Sequence, residues 1–316
     1  MEKRILIRMN EPEDWLRTWD EGTQVVNDFI LPRGRYMKDE VSDTIYHKDA
    51  EVPYHQHGRG TETFLIAKGS VECFIRGKRF IANAGDILHI PPYTPHGFHF
   101  LEEGTIWREL FQEIDMAQGI YEKNTVNQRH IQFRENEEFM EMYRNDGTEG
   151  LERELPVTED VDKHQMHEVR TPDFAYVTHN GEGWEIRQKV GRWECGGVKE
   201  VWEAFLQKGL CVEWHYPNQN WELYYVADGK IRFDVEGETY IAEKDCLVHI
   251  PPYHTHELEV LEDARVFDYG GETCTLELLE DYKSFQTHQP EKLKDPDFFE
   301  GFLHKYRCYV TGCYMK

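Results

Sequence analysis

Four side chains of the types that bind divalent metals occur within a short stretch near the start of the chain. His55 and His57 are separated by one residue, and Glu62 and His96 follow. Side chains two positions apart on a β-strand point to the same face, so a strand would present both histidines together. Three imidazoles and one carboxylate suit Mn, Fe, Ni, Cu or Zn and leave positions for substrate or water. The pattern predicts a divalent-metal site.

Three further side chains are candidates for a catalytic role beside this site. Glu109 could transfer a proton, Arg59 could bind a substrate carboxylate or an enolate oxygen, and Tyr93 could donate a hydrogen bond. The alternative for each of them is a position on the rim or in the packed interior. We take Glu109, Arg59 and Tyr93 as the predicted catalytic residues.

The segment that must position these residues occurs twice in the chain. Residues 80–96 read FIANAGDILHIPPYTPH, and residues 240–256 read YIAEKDCLVHIPPYHTH, which is an offset of 160 positions. The register extends upstream without a gap, so that Glu62 aligns with Glu222. A gapless match of this length indicates that the chain holds two copies of one domain.

Each copy has the pattern of short β-strands joined by tight turns. Short apolar runs are interrupted by glycines, where turns between strands are expected. The Pro-Pro pairs at 91–92 and 251–252 cannot lie inside a central strand, so they mark strand ends or turns. Many short strands with regular turns favour an all-β fold with two tandem barrels.

The segments outside the repeats have a different composition. A polar stretch with a helical pattern at 134–144 separates the two copies, and the chain end also has helical patterns. There Asp295 is a predicted N-cap, followed by Pro296 at the first helical position. The predicted organisation is a first barrel at 1–115, a connector with helices at 116–180, a second barrel at 181–275 and a helical tail at 276–316.

The two motifs of the first copy resemble those of the cupin superfamily. PYHQHGRGTETFLIAKG contains two histidines, a glutamate and a glycine at the spacing of the first cupin motif, and GDILHIPPYTPH contains the Gly-Asp, proline and histidine of the second. The resemblance implies jelly-roll barrels of the double-stranded β-helix type, and a bicupin because the domain is repeated. It also implies a set of metal ligands: His55, His57, Glu62 and His96.

The resemblance covers about residues 55–112 and 211–270. The asparagine that often follows the last histidine of the family is Phe100 here, at a position that is not a ligand. By strand alternation from His96, Phe98 and Phe100 should point inward and form an apolar wall. We expect one divalent ion in the first barrel, with Mn²⁺ preferred and Fe²⁺ or Zn²⁺ as alternatives.

The second copy keeps only part of the ligand set. His215, Glu222 and His256 occupy three of the four positions, Pro217 replaces the second histidine, and His254 could supply a further donor. Two interpretations stay open. The second barrel either holds a metal with two histidines and one carboxylate, or it is a relic that packs and dimerises.

Composition excludes several classes of partner. The 316 residues carry 60 acidic and 36 basic side chains and a formal net charge of −24, so nucleic acid is not an expected partner. No apolar run is long enough for a signal peptide or a membrane span. The seven cysteines form no C-x-x-C pair. We therefore expect a cytoplasmic protein with free thiols, no membrane partner, a small-molecule substrate and a homodimeric assembly.

Three classes of function fit a bicupin. The first is redox-neutral metal chemistry, as hydrolase, isomerase or lyase, on a small keto or hydroxy compound. Manganese-dependent cyclohydrolases that open a cyclic β-diketone, such as dihydrophloroglucinol, belong to it. The second is a ring-cleaving dioxygenase, and the third is a non-catalytic binding or storage bicupin. The intact ligand set disfavours storage, and the partial second set disfavours oxalate decarboxylase, which keeps both sets. We therefore favour the first class.

Overall fold

The computed structural model divides the chain into two compact units. The first unit comprises residues 12–174, and the second unit comprises residues 1–11 together with 175–316. The structure describes residues 5–9, 16–19, 24–30, 41–56, 61–112, 149–153, 159–195, 199–217, 221–269, 275–306 and 308–310.

Most of the described residues lie in β-strands, which confirms the predicted all-β fold of two tandem barrels with short flanking helices. In chain order the strands are β1 (Leu6–Arg8), β2 (Leu16–Trp19), β3 (Gln24–Ile30), β4 (Val41–Tyr46), β5 (Glu51–Gln56), β6 (Glu62–Lys68), β7 (Ser70–Ile75), β8 (Lys78–Asn83), β9 (Ile87–Ile90), β10 (His96–Phe100), β11 (Thr105–Gln112), β12 (Glu149–Arg153), β13 (Glu159–Asp160), β14 (Val169–Arg170), β15 (Thr178–Gly181), β16 (Trp184–Val190), β17 (Val201–Leu206), β18 (Cys211–Pro217), β19 (Glu222–Val235), β20 (Glu238–Glu243), β21 (Cys246–Ile250), β22 (His256–Asp268) and β23 (Cys308–Val310).

Two sheets form the first unit. One has the strand order β12-β5-β10-β7-β8-β13, and the other has the order β14-β9-β6-β11-β4-β3-β2. Side chains from both sheets meet in one apolar core, because alternate residues of each strand point inward. The core includes Phe64, Phe80, Phe98, Phe100 and Trp107.

The second unit repeats this arrangement with longer strands. The strand order of its main sheet is β1-β21-β19-β22-β17-β16-β15. The single strand β19 corresponds to the two consecutive strands β6 and β7 of the first unit. A glycine with positive φ lies at the bend in both units, Gly69 at +83° and Gly229 at +85°. A Cβ at Gly229 would overlap the carbonyl oxygen of Asp263, and one at Gly69 would overlap the side chain of Thr105. The close contacts and the positive φ therefore favour glycine at both bends.

The unit boundaries differ from the predicted domain limits of 1–115 and 116–180. Residues 1–11 belong to the second unit because β1 pairs with β21, with Ile7 opposite Leu247. Residues 149–174 belong to the first unit because β12, β13 and β14 pair with β5, β8 and β9. Short segments that precede each repeat thus add backbone hydrogen bonds to the barrel of the other repeat. The predicted helix at 134–144 lies outside the described residues.

Two α-helices follow the last barrel strand, α1 (Thr275–His288) and α2 (Pro296–Lys305). Asp295 caps α2, since its side chain accepts a hydrogen bond from the backbone N–H of Asp297, and Pro296 begins the helix. Phe285 of α1 packs edge-on against Phe298 and Phe302 of α2. No described helix is long and apolar enough to cross a membrane.

Candidate metal centre

Strands of both sheets carry three of the predicted donors of the first barrel. His55 on β5 lies directly opposite His96 at the start of β10, and Glu62 begins β6. The imidazole rings of His55 and His96 have centroids 4.3 Å apart. His57 and Arg59 lie outside the described residues, so the structure does not test their predicted roles.

Glu62 and His96 form a buried pair at this point. The Oε2 atom of Glu62 lies 3.2 Å from Nε2 of His96, and the two residues are only 5% and 1% exposed. Burial of a carboxylate requires a partner, because desolvation of an unpaired charge costs several kcal/mol. No group of three or more His, Cys, Asp or Glu side chains suitable for a metal ion is found among the described residues alone.

The backbone fixes the tautomer of His96. Its Nδ1 lies 2.7 Å from the carbonyl oxygen of Thr94. A carbonyl oxygen only accepts, so Nδ1 carries a hydrogen, and Nε2 is the ring nitrogen that faces Glu62. A backbone carbonyl that orients the far nitrogen is typical of histidines that bind metals. The donor chemistry of Glu62 and His96 therefore fits a divalent cation.

A series of polar contacts stabilises the turn that contains Thr94. Arg76, on the turn between β7 and β8, donates from Nη2 to Oγ1 of Thr94 at 3.0 Å. The Nε atom of Arg76 lies 3.4 Å from Oε1 of Glu168, which is 4% exposed. The backbone carbonyl of Glu168 accepts a hydrogen bond from the N–H of His89 on β9. The turn that carries His96 is thus connected to the segment that follows the first repeat.

Below the pair, aromatic rings fill the barrel interior. Phe98 is 1% exposed and its ring centroid lies 5.5 Å from that of His96. Trp107 packs edge-on against Phe64 and Phe98, with centroid distances of 3.8 and 4.5 Å. Phe98 and Phe100 both belong to this core, as alternation from His96 predicts. The donors therefore lie above an apolar floor from which water is excluded.

The structure describes two of the predicted catalytic residues, Glu109 and Tyr93, and places them in different surroundings. Glu109 lies opposite Phe64, which belongs to the core, so Glu109 faces the interior, and its Oε2 is buried. Tyr93 is 64% exposed and has a φ of +57°, on the turn before His96. Tyr253 has the same conformation at the equivalent position, with a φ of +64°. The structure therefore assigns Tyr93 to a turn that both repeats share and does not group it with the buried donors.

In the second barrel, the carboxylate equivalent to that of Glu62 belongs to Glu222, and it contacts two other side chains of the protein. Oε2 of Glu222 accepts from the hydroxyl of Tyr224 at 2.6 Å and lies 2.9 Å from Nε2 of His256. Burial lowers the pKa of His256, but the charge and hydrogen bond of Glu222 outweigh it, so the pKa lies above its ordinary value. His215 lies opposite His256 in the strand pairing, and its side chain lies outside the described part of the chain.

Tyr224 is a residue that inspection of the ligand motif alone misses. Alignment of the repeats places it at the position of Phe64, so the two barrels differ by a hydroxyl beside the carboxylate. Arg76 is a second missed residue, and the repeat has Glu236 in its place. His254, considered as a donor, instead directs Nδ1 to the carbonyl of Pro252 at 2.9 Å, and its own carbonyl accepts from His256.

Comparison with known proteins agrees with this architecture. The family model of the cupin domain matches residues 43–106 and 202–269. No curated protein matches the chain in sequence.

Several solved structures share the fold at low identity. An oxalate decarboxylase of Lactobacillus farciminis, in a formate complex, is 14% identical with a TM-score of 0.54 over 86% of this chain and 87% of that one. A cupin 2 conserved barrel domain protein from Leptotrichia buccalis is 14% identical with a TM-score of 0.53 over 86% and 97%. A mutant salicylate 1,2-dioxygenase from Pseudoaminobacter salicylatoxidans, in complex with gentisate, is 12% identical with a TM-score of 0.53 over 75% and 70%. At these identities the likeness concerns the fold alone. The cupin-domain model thus matches one segment in each of the two barrels, and the solved structures share the two-barrel fold of the chain.

Proposed function

We propose that the first barrel holds one divalent ion, preferably Mn²⁺, and catalyses a redox-neutral reaction on a small keto or hydroxy compound. The ligands in this proposal are His55, His57, Glu62 and His96. The observation that carries it is the buried Glu62–His96 pair, in which the Thr94 carbonyl holds Nδ1 so that Nε2 of the imidazole faces the carboxylate. A neutral imidazole and a carboxylate suit Mn²⁺, Fe²⁺ or Zn²⁺.

The two barrels have different roles in this proposal. In the second barrel the Glu222–His256 contact is equivalent to the Glu62–His96 contact, but the Glu222 carboxylate also accepts a hydrogen bond from Tyr224. A metal there would have to displace the hydroxyl of Tyr224. In the first barrel the same position is Phe64, which offers the carboxylate no hydrogen bond. We therefore expect one metal per chain, bound in the first barrel.

The reaction proposed is hydrolysis of a carbon–carbon bond in a cyclic β-diketone. A bound divalent ion supplies Lewis acidity, which polarises a carbonyl and makes water a better nucleophile near neutral pH. The water oxygen bonds to one carbonyl carbon, and the bond from that carbon to the methylene between the carbonyls breaks. The methylene carbon takes up a proton, which gives an acyclic keto acid. The reaction adds the elements of water and needs no oxidant or reductant.

The protein's own groups have defined tasks in this scheme. Glu109, which faces the interior, takes the proton from water and returns it to carbon. Phe98 and Trp107 keep bulk water away from the reacting atoms, and this strengthens electrostatic interactions there. Arg59 is the proposed partner of the oxyanion.

The test is turnover of 1,3-cyclohexanedione by Mn²⁺-loaded protein in an anaerobic chamber, followed by detection of 5-oxohexanoate. We expect product without dioxygen, none from metal-free protein, and little from Glu109→Gln protein that still holds its metal. Activity that appears only with dioxygen and consumes it stoichiometrically would establish the ring-cleaving dioxygenase alternative instead. Metal-loaded protein that binds neither this dione nor related hydroxy-keto acids would favour a binding role.

A further inference from the structure

The main sheet of the second unit carries a row of charged side chains on its outward face. Glu185 of β16 lies opposite Phe205 of β17, which in turn lies opposite Arg265 of β22. On its other side, Arg265 lies opposite Asp228 of β19. Opposed residues of paired strands point to the same face of a sheet. Val266, next to Arg265 along β22, belongs to the apolar core, so the row faces away from the barrel interior.

The first barrel has apolar residues in the corresponding row. Strand pairing there puts Val25 of β3 opposite Ile45 of β4, and Ile45 opposite Ile106 of β11. The offset of 160 positions aligns Val25 with Glu185 and Ile45 with Phe205. Because the repeated fold forms with apolar residues in this row, the fold itself does not require the charges. The charges therefore point to a role that belongs to the second barrel.

The positive charges of this face outnumber the carboxylates buried beside them. Glu203, in the next row, is 0% exposed, and its Oε2 lies 2.9 Å from Nζ of Lys189, while its Oε1 accepts from Nε of Arg265 at 2.6 Å. One carboxylate cannot neutralise two cations, so an excess of positive charge remains here. Burial lowers the pKa of Lys189, and the nearby positive charges of Arg187 and Arg265 lower it further. The ion pair with Glu203 only partly offsets this.

Two arginines of this face are held flat against aromatic rings. The guanidinium carbon of Arg187 lies 4.7 Å from the ring centroid of Phe205, and that of Arg265 lies 5.2 Å from the centroid of Phe267. Each arginine directs Nε and Nη2 to a single oxygen of a neighbouring glutamate. Nη1 of each therefore has no protein acceptor among the described residues. A stacked guanidinium is already oriented, so it loses little freedom when it binds a carboxylate.

Both arginines line one cleft with a volume of about 700 Å³, which is in the size range of small-molecule sites. Two exposed carboxylates, those of Asp228 and Asp263, line the same cleft. Its apolar surface comes from residues that include Trp184 and Phe205. The cleft therefore combines positively charged hydrogen-bond donors, negatively charged acceptors and aromatic rings.

We propose that this cleft is a second ligand site, which binds a free α-amino acid with an apolar side chain. The carboxylate of the ligand accepts hydrogen bonds from Arg187 and Arg265. Its ammonium group lies beside Asp228 and Asp263, and its side chain packs against Phe205. The two arginines are two strands apart, roughly 10 Å across the sheet, so their long side chains can reach one carboxylate from two sides.

A ligand with both charges fits this cleft better than a simple ion. Arg265 and Asp228 lie directly opposite each other, so the ligand must carry its opposite charges close together. The two charged groups of an α-amino acid are attached to the same carbon atom. A simple carboxylate would also face the two aspartates, and a simple amine would also face the two arginines, so either would meet like charge. The site is independent of the metal and of the proposed reaction.

The experiment measures binding of L-phenylalanine to the full chain by calorimetry at low ionic strength, with melting temperatures measured on the same samples. We expect a Kd of about 1 mM or tighter, with or without Mn²⁺. L-Phenylalaninamide lacks the carboxylate, and 3-phenylpropionate lacks the ammonium group. Each of the two should bind at least about 10-fold more weakly, because one charged hydrogen-bonded contact is lost.

Two variants assign these contacts to the cleft. Arg187→Gln should weaken binding of L-phenylalanine about 10-fold and reduce its preference over the amide to about three-fold or less. Asp228→Asn should instead reduce the preference over 3-phenylpropionate, and because Asp228 is exposed, this variant decides if Arg187→Gln does not fold. Arg232→Gln is the matched control, since Arg232 is on the same barrel, pairs with Asp234 and Glu259, and does not line the cleft.

Several results would overturn the proposal. Wild-type protein that shows no binding at about 10 mM L-phenylalanine has no such site. Equal binding of all three probes would show that apolar contact alone holds the ligand. Binding that folded Arg187→Gln and Asp228→Asn both leave unchanged would place the ligand elsewhere, and binding that requires Mn²⁺ would place it in the first barrel. None of these results bears on the proposed function, which is tested with a different compound.

Discussion

Replacement of Arg76 by alanine should weaken metal binding in the first barrel, although Arg76 is not one of the proposed ligands. Arg76 donates to Oγ1 of Thr94, and the carbonyl of Thr94 in turn orients His96. Without this bond the turn can move, and the imidazole then has more orientations to lose when the metal binds. The perturbation therefore acts on the position of a ligand and leaves the ligand set intact.

The size of the effect follows from the two contacts. The hydrogen bond to Thr94 at 3.0 Å contributes about 0.5–1.5 kcal/mol net. The contact with Glu168 adds little, because the side chain of Arg76 is 55% exposed and solvent screens the pair. Changes to groups that orient metal ligands typically cost about 10–100-fold in affinity. We expect the lower end, about 10-fold weaker binding of Mn²⁺.

The assay is competition for Mn²⁺ with a chelator, read from the signal of the free ion. Thr94→Val removes the acceptor and should weaken binding by a similar factor, and the double variant should be no worse than either single variant. Arg79→Ala is the matched control, because Arg79 lies nearby on β8 and pairs with Glu72 and Asp160, away from Thr94. Binding within about two-fold of wild type in Arg76→Ala, or additive losses in the double variant, would refute the reasoning.

Three further outcomes are expected from the fold. Gly229→Ala should destabilise the second unit by about 2–4 kcal/mol in thermal unfolding, since the new Cβ meets the backbone of Asp263 at positive φ. Ile7→Ala, a change at a residue 2% exposed, should cost about 2–5 kcal/mol and lower hydrogen-exchange protection in β21. Burial raises the pKa of Glu72, but hydrogen bonds from Arg79 and His99 outweigh it, so the net pKa is lowered. Glu72→Gln should therefore reduce stability at neutral pH by less than about 1 kcal/mol.

Each of these predictions has its own control. Gly237→Ala has a similar φ of +84° with nothing within 4 Å, so it should cost only the backbone strain, about 1–2 kcal/mol. Ile7→Ala should leave Mn²⁺ affinity in the first barrel unchanged. The effect of Glu72→Gln should be constant above pH 4.5 and vanish as the pH falls through the lowered pKa, because a depressed carboxyl pKa stabilises only the ionised state. A stability difference between the wild type and Glu72→Gln that grows as the pH falls would contradict a lowered pKa of Glu72.

The two barrels could be predicted from the sequence because the 160-residue repeat reveals a duplicated domain. The Glu62–His96 pair could be predicted because the two motifs of the first copy resemble those of the cupin superfamily, which implies that these residues meet. The domain limits could not be predicted in the same way. Pairing of β1 with β21 joins distant parts of the chain through backbone hydrogen bonds, which have no side-chain signature.

The placement of individual side chains could likewise be predicted only in part. Glu109 could be placed in the interior because alternation from Trp107 continues along one strand. The catalytic role of Tyr93 stays a prediction, because nearness in sequence to His96 says nothing about the positive φ or the 64% exposure that the structure gives this residue.

The most direct test of the account is the metal content of three purified proteins after loading with Mn²⁺ and removal of excess ion. The wild type should hold about one ion per chain, His256→Ala should also hold about one, and His96→Ala should hold none. Melting temperatures measured without metal would show that each variant is folded. Retention of the ion by folded His96→Ala, or its loss from folded His256→Ala, would contradict the assignment of the metal to the first barrel.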